Sequence, residues 1–402
     1  MKEIELDSET KTEKKLWNIN FISLLGISTL TFLAFYLVYP LLSKYSIGLG
    51  ASLSMAGVIV GLFSITALFI GPFGGILTDR TSKKYVMIIG TFINGIATLG
   101  YSLAPNIGVV IFFRILHGAS FSITSATSVA WAIEFIPKER MGEGIGYLGI
   151  SQIIATAFGP EIGIEASNKF GISKTFMVSA ILIIVAAIFM NFLPNRSKVA
   201  KKNAVTKKPS IHLKDIIAFE VLPLSFFGGL FFMGNGLVTS FLVLMGEQRK
   251  IAGVGMYFVV NALFLIFTRP ISGKLYDKKG LATVLYPALL CGIMEALFLG
   301  HGNVLWMIIL AAIFKAFGQG FAQPALQAEC FHIMGSEKRG LASSTFFIGA
   351  NVGQGVGPLI GGVVASSLGY KWVFNFSALM LVFGILCFAI YNKKNSLSNC
   401  NK

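Results

Sequence analysis

Apolar residues run along this chain in stretches of about 20 or more, broken by short polar segments in which nearly all the charges lie. Each such stretch is long enough to cross a bilayer as a helix. The pattern predicts twelve helices: 16–40, 50–78, 84–104, 107–134, 142–166, 173–194, 215–245, 252–276, 281–300, 303–333, 341–366 and 372–391. Between 195 and 214 the chain is basic and has no apolar period, so this segment is expected to be a tether. The predicted organisation is an N-terminal tail (1–15), a six-helix half (16–194), the linker (195–214), a second six-helix half (215–391) and a C-terminal tail (392–402).

The two halves share short motifs at one spacing. Gly75-Ile76-Leu77-Thr78-Asp79-Arg80 corresponds to Gly273-Lys274-Leu275-Tyr276-Asp277-Lys278, 198 residues later. Gly159-Pro160-Glu161-Ile162-Gly163 corresponds to Gly357-Pro358-Leu359-Ile360-Gly361 at the same offset, as do Phe176 and Ser179 to Phe374 and Ser377. A repeat of half the chain length in an apolar chain predicts an all-α membrane protein whose two six-helix halves are parallel, pseudo-symmetric repeats.

Composition agrees with that picture. Hydrophobic residues make up 54% of the chain and charged residues 13%, against roughly 25% charged in soluble domains. A soluble fold of this length has too little interior to hide so much apolar surface. The net charge of +15 does not point to nucleic acid, because the cations are sorted by loop. One set of loops holds Arg80, Lys83 and Lys84, then Lys138 and Arg140, the linker lysines, Lys274, Lys278, Lys279, Lys338 and Arg339. The opposite set holds Lys44, Lys169, Lys174, Arg249, Lys250 and Lys371. The cation-rich side is cytoplasmic, and an even number of helices places both termini there. The first 15 residues lack a basic start and a small-residue cleavage site, so the first helix is expected to be retained. Cys291, Cys330 and Cys387 lie in apolar runs and Cys400 in the tail, with no disulfide or metal-ligand spacing. No Gly-x-x-x-x-Gly-Lys-[Ser/Thr] sequence, catalytic triad or metal cluster is present, so neither ATP, an enzymatic reaction nor a cofactor is expected.

The stretch Gly75-x-Leu77-x-Asp79-Arg80-x-x-Lys83-Lys84 resembles the signature that follows the second helix in the major facilitator superfamily. Ser82 stands where that signature has glycine, which predicts a stiffer turn. The resemblance implies alternating access between two halves, in a monomer of the bacterial cell membrane. It also implies that Gly75, Asp79, Arg80, Lys83, Lys84 and the second-half Asp277 belong to a cytoplasmic gate. Glu134 and Arg140 resemble the family's acidic and arginine residues ahead of the fifth helix and are expected to act in the same gate. Arg114 with Gly118 resembles the R-x-x-x-G signature of helix 4 in proton-coupled drug exporters. Gly159-Pro160-x-x-Gly163 resembles the core of the antiporter signature in helix 5, with Ile164 in place of a final glycine.

The residues themselves suggest a chemistry. Charges inside a membrane helix must face a cavity or a partner. In helix 5, Gly159 and Gly163 form a small face for close packing, Pro160 permits a bend, and Glu161 and Glu165 lie together on the other side. Glu161 is the expected proton-coupling residue, with Arg114, His117 and Glu165 as companions; a salt bridge from the two acids to Lys169 or Lys174 is the alternative. In helix 10, Lys315, Gln319, Gln323 and Gln327 recur every four residues as one polar stripe. Gln319, Gln323 and Lys315 are candidate substrate contacts, with Lys315 placed either to bind an anionic group or to neutralise a carboxylate. So are Asn235, among the phenylalanines of helix 7, and Tyr36 of helix 1. Arg269 and Glu295 are further charges in apolar runs.

Two transport functions follow. One is proton-coupled efflux of small amphipathic organic molecules, implied by the antiporter resemblance and favoured by the aromatic content. The other is carriage, outward or inward, of one polar metabolite such as a sugar, an amino-acid derivative or a metallophore, favoured by the helix 10 stripe. A non-transporting membrane sensor is the third class, without a soluble sensory domain to support it. Protons, membrane lipids and a small-molecule substrate are the expected partners, and nucleic acid is not.

Overall fold

The apolar stretches form helices in the computed structural model, which describes residues 16–137, 140–195, 217–335 and 338–400. The tail 1–15, residues 196–216 and 401–402, and Lys138, Glu139, Ser336 and Glu337 of the repeated loops lie outside the described residues. Six long helices precede the linker: α1 (Ile19–Val38), α2 (Leu53–Arg80), α3 (Lys83–Ser102), α4 (Ile107–Ala132), α5 (Met141–Phe170) and α6 (Ile172–Phe189). After it come α7 (Leu222–Gln248), then α8 and α9 within one helical run, Met256–His301, that breaks at Gly280. The chain ends with α10 (Leu305–Met334), α11 (Arg339–Leu368) and α12 (Tyr370–Cys400). These twelve helices among the described residues correspond to the twelve expected. Ten helical segments, counting Met256–His301 as one, are long and apolar enough to span a membrane. α5 is not among them, because its 30 residues include Gln152, Glu161 and Glu165.

Several boundaries differ from the expected ones for local reasons. α1 does not end at Pro40: a tight turn, Tyr39–Leu41, leads into a short helix, Leu42–Gly48. Proline is tolerated there because the first residues of a helix need no backbone donor. α7 starts at Leu222, with Pro223 in its first turn, after a tight turn at Phe219–Val221, and the expected start at 215 lies outside the described residues. The charged stretch after helix 2 is mostly helix: α2 continues through Asp79 to Arg80 and α3 starts at Lys83. In the second half the equivalent turn bends at Gly280, whose φ of 75° favours glycine. Ser82, at the matching position, has φ −71° and turns the chain without a left-handed residue. α12 carries the chain helically to Cys400, past the expected start of the tail.

Contacts divide the chain into two compact units that differ from the sequence halves in one segment. The first comprises the described residues of Met1–Tyr39 and Thr66–Lys207; the second, those of Pro40–Ile65 and Lys208–Lys402. The first has a core around Phe21, Leu24, Trp131 and Phe135, and the second around Phe227, Leu289, Leu326 and Phe346. Large apolar side chains such as Phe69, at 69% exposure, face outward, as lipid contact requires.

One close helix interface occurs once in each unit. In the first, α5 lies on α1 so closely that a Cβ at Gly163 would overlap the Leu37 carbonyl, and one at Gly159 would stand 2.6 Å from the Tyr36 Cβ. In the second, α11 lies on α7, where a Cβ at Gly357 would stand 2.7 Å from the Met233 carbonyl oxygen. Pro40–Ile65 joins the second unit by the same means. Gly57 and Gly61 meet the backbone of α11 at Pro358 and Gly355, and Lys44 pairs with Glu247 at the end of α7. Small residues let helix backbones approach where lipid supplies no hydrophobic drive.

Candidate functional site

α5 places the two acids where its packing leaves room. With Gly159 and Gly163 against α1, Glu161 and Glu165 project elsewhere. Glu165 is exposed, whereas Glu161 is half-buried and its Oε2 is enclosed without a hydrogen-bond partner. Four residues apart on one helix, the two carboxylates share a face. Among the described residues neither forms an ion pair, so the alternative salt bridge to Lys169 or Lys174 is not made.

Arg114 and His117 are buried in the first unit, at 1% and 2% exposure. Both face Tyr101 of α3, whose hydroxyl lies 3.1 Å from His117 Nδ1 and also shares a hydrogen bond with Arg114. The Arg114 guanidinium carbon lies 5.9 Å from the centre of the Tyr39 ring, within cation–π range. Phe35 closes the cluster, edge-on to His117 at 5.5 Å. Tyr101 and Phe35 escape sequence reasoning, because no spacing within one helix links them to Arg114. Tyr36 packs edge-on against Phe35 at 5.2 Å, beside Gly159.

In the second unit the helix 10 stripe divides. Lys315 is buried, at 4% exposure, and its ammonium lies 3.6 Å from Glu295 Oε1 on α9. The Tyr257 hydroxyl of α8 donates to that same oxygen at 2.5 Å. Lys315 thus meets a carboxylate, one of the two roles expected for it, because a buried ammonium needs a counter-charge and finds one on the neighbouring helix. Gln319, Gln323 and Gln327 remain half-buried. Asn235 donates to Gln354 Oε1 at 3.0 Å, tying α7 to α11. Arg269 is exposed rather than enclosed.

The expected gate residues pair within the first unit, though not as the sequence order suggests. Lys83 bridges to Glu134 at 2.8 Å. Lys84 donates to the carbonyls of Asn191 and Leu193 beyond α6, at 2.8 and 2.6 Å. Arg140 grips Glu143 through two hydrogen bonds of 2.8 and 2.7 Å, not Glu134. Gly75 and Asp79 lie in the last turns of α2, and Arg80 and Asp277 are exposed. Glu143 goes unnoticed in the sequence because it reads as an ordinary first-turn acid of a helix.

The family model of the Major Facilitator Superfamily matches residues 24–328 and 281–398. An uncharacterized MFS-type transporter of Methanocaldococcus jannaschii is 25% identical over 386 residues, covering 93% of this chain and 96% of the relative. The multidrug resistance protein MdtG of Enterobacter lignolyticus is 26% identical over 373 residues, covering 88% and 87%. Among solved structures, the nucleoside transporter NupG superposes with a TM-score of 0.73 at 15% identity, over 93% of this chain and 99% of that one. A POT family transporter in complex with 5-aminolevulinic acid gives a TM-score of 0.77 at 14% identity, over 95% and 98%. At those identities the two structures support the fold alone.

Proposed function

The chain belongs to the Major Facilitator Superfamily, and we propose that it exports small amphipathic organic molecules in exchange for protons, by alternating access. The kinship to proteins named for multidrug resistance supports this substrate class. The observation that carries the proton coupling is Glu161, whose Oε2 is enclosed without a partner and which has no cation paired to it among the described residues. As an anion such a group is costly in a membrane, and as a neutral acid it is not. It is therefore suited to take up a proton on one side and release it when water access changes. Arg114, with His117 and Tyr101 around it, is a fixed positive group in the same unit that favours release. The Lys83–Glu134 and Arg140–Glu143 pairs serve as cytoplasmic gate contacts that form and break during the cycle.

The half-buried amides of Gln319, Gln323 and Gln327 favour a second reading, a carrier for one polar metabolite. One experiment separates the two. Protein in proteoliposomes with an internal pH dye is challenged with lipophilic cations and with polar metabolites. Proton movement driven by lipophilic cations, and lost in Glu161→Gln with the fold intact, is the expected result. Proton-driven efflux that survives Glu161→Gln removes Glu161 from the mechanism. A response to a single polar solute alone replaces the first reading with the second.

A further inference from the structure

A cavity lies inside the first unit, between α1, α3, α4 and α6; its space, counted together with the open solvent at its mouth, is about 530 Å³. Neither Glu161 nor Arg114 lines it. Residues at helical spacing on one face of each helix build it, as with His117, Phe121, Thr124 and Ser128 of α4. Phe35 and Phe121 stack at 4.7 Å to form an aromatic wall, and Met87, Ile183 and Met190 add flexible apolar surface. Ser125 is the exposed residue of the lining and marks the mouth. Among the described residues no Asp, Glu, Lys or Arg lines the space.

The polar groups in the lining are nearly all committed. Thr31, Thr124, Ser125 and Ser128 donate to carbonyls of their own helices. Asn94 accepts from Ser120 and donates to Thr124. His117 is held by Tyr101. Thr91 is different: at 1% exposure its hydroxyl has no hydrogen-bond partner. A buried polar atom without a partner asks for one, and Thr91 belongs to the lining of this space.

We propose that this cavity binds a small neutral molecule, largely apolar and aromatic, through one hydroxyl or carbonyl that pairs with Thr91. An apolar lining with few polar anchors is the usual form of such a site. A cation is disfavoured despite the aromatic wall, since no carboxylate lines the space and the charge of Arg114 acts on His117 at its floor. An anion is disfavoured because no lining side chain carries a fixed positive charge.

Calorimetric titration of the full-length protein in lipid nanodiscs tests this with three probes: 1-naphthol, naphthalene and 1-naphthylmethylammonium. Saturable one-to-one binding of 1-naphthol is expected, with the ammonium probe weaker. Thr91→Val should weaken 1-naphthol about threefold to tenfold and leave naphthalene unchanged. Thr91→Ser, which keeps the hydroxyl, should retain the parental affinity. Ser125→Trp at the mouth should abolish binding of both neutral probes. Thermal unfolding midpoints matching the parent establish that the variants fold. Three results overturn the proposal: no saturable binding by the parent, 1-naphthol affinity indifferent to Thr91→Val, or binding that survives Ser125→Trp. Since binding is read without transport, its outcome is separate from that of the Glu161 experiment.

Discussion

Replacing Lys315 decides whether this buried ammonium is structural or belongs to a substrate site. It lies 3.6 Å from Glu295 Oε1, and the Tyr257 hydroxyl donates to the same oxygen at 2.5 Å. Breaking a fully buried ion pair by removing one partner costs about 3–5 kcal/mol, chiefly because the other charge is stranded. Three features lower the figure here. The separation is longer than that of a close pair, the Glu295 side chain keeps 13% exposure, and its bond from Tyr257 survives. Lys315→Met is therefore expected to cost about 2 kcal/mol, and Glu295→Gln, which strands the more deeply buried ammonium, at least about as much. The double variant strands nothing and should cost only about 1 kcal/mol, so the cycle should show coupling of about 3 kcal/mol. Equilibrium unfolding in mixed micelles, followed by circular dichroism, supplies all three numbers. Additive costs would refute the pairing. A Lys315→Met variant of parental stability that no longer responds to substrate would return Lys315 to the stripe on which its spacing first places it.

Two further outcomes follow from the packing. Gly163→Ala should destabilise by about 1–3 kcal/mol, because the added Cβ meets the Leu37 backbone and α5 must move off α1; Gly149→Ala on the same helix, with nothing within 4 Å, should be neutral or slightly stabilising, and equal effects in the same unfolding assay would contradict the close interface. Arg249 donates to the carbonyls of Leu299, Gly300 and Gly302 at the end of α9, so Arg249→Ala should cost about 1–3 kcal/mol, and Arg249→Lys should recover little because an ammonium lacks the planar fork; full rescue by lysine would show that charge rather than geometry matters.

What the sequence makes legible follows from how far each signal reaches along the chain. Apolar period and cation sorting act within one helix or one loop, and they recover the helices. Partner choice does not lie within one element. Lys83 meets Glu134 on another helix, Lys44 meets Glu247 in the other half of the sequence, and Lys315 meets Glu295 across a helix pair. A four-residue spacing puts Lys315 and Gln319 on one face of α10, but the rotation of α10 against α8 and α9 decides which of them is enclosed. For the same reason Tyr101 cannot be assigned to Arg114 from sequence, although Arg114 itself is conspicuous as a charge in an apolar run. The segment Pro40–Ile65 is a further case: its place in the second unit depends on Gly57 and Gly61 meeting α11, and a glycine pair does not name the helix it will meet.

The repeat is the exception, since it carries three-dimensional information over 198 residues. The glycines of α5 and α11 produce the same close interface, with α1 in one unit and with α7 in the other. The backbone scaffold is thus duplicated, but the side chain after the repeated proline is not: Glu161 follows Pro160, whereas Leu359 follows Pro358. Interface geometry cannot be what requires an acid at 161, because α11 makes the equivalent contact with a leucine. The carboxylate is then an addition for which packing gives no reason, enclosed at one oxygen and without an ion pair among the described residues. That asymmetry on a symmetric scaffold is the argument for placing the proton chemistry in the first six helices and for testing it at Glu161 before any other acid.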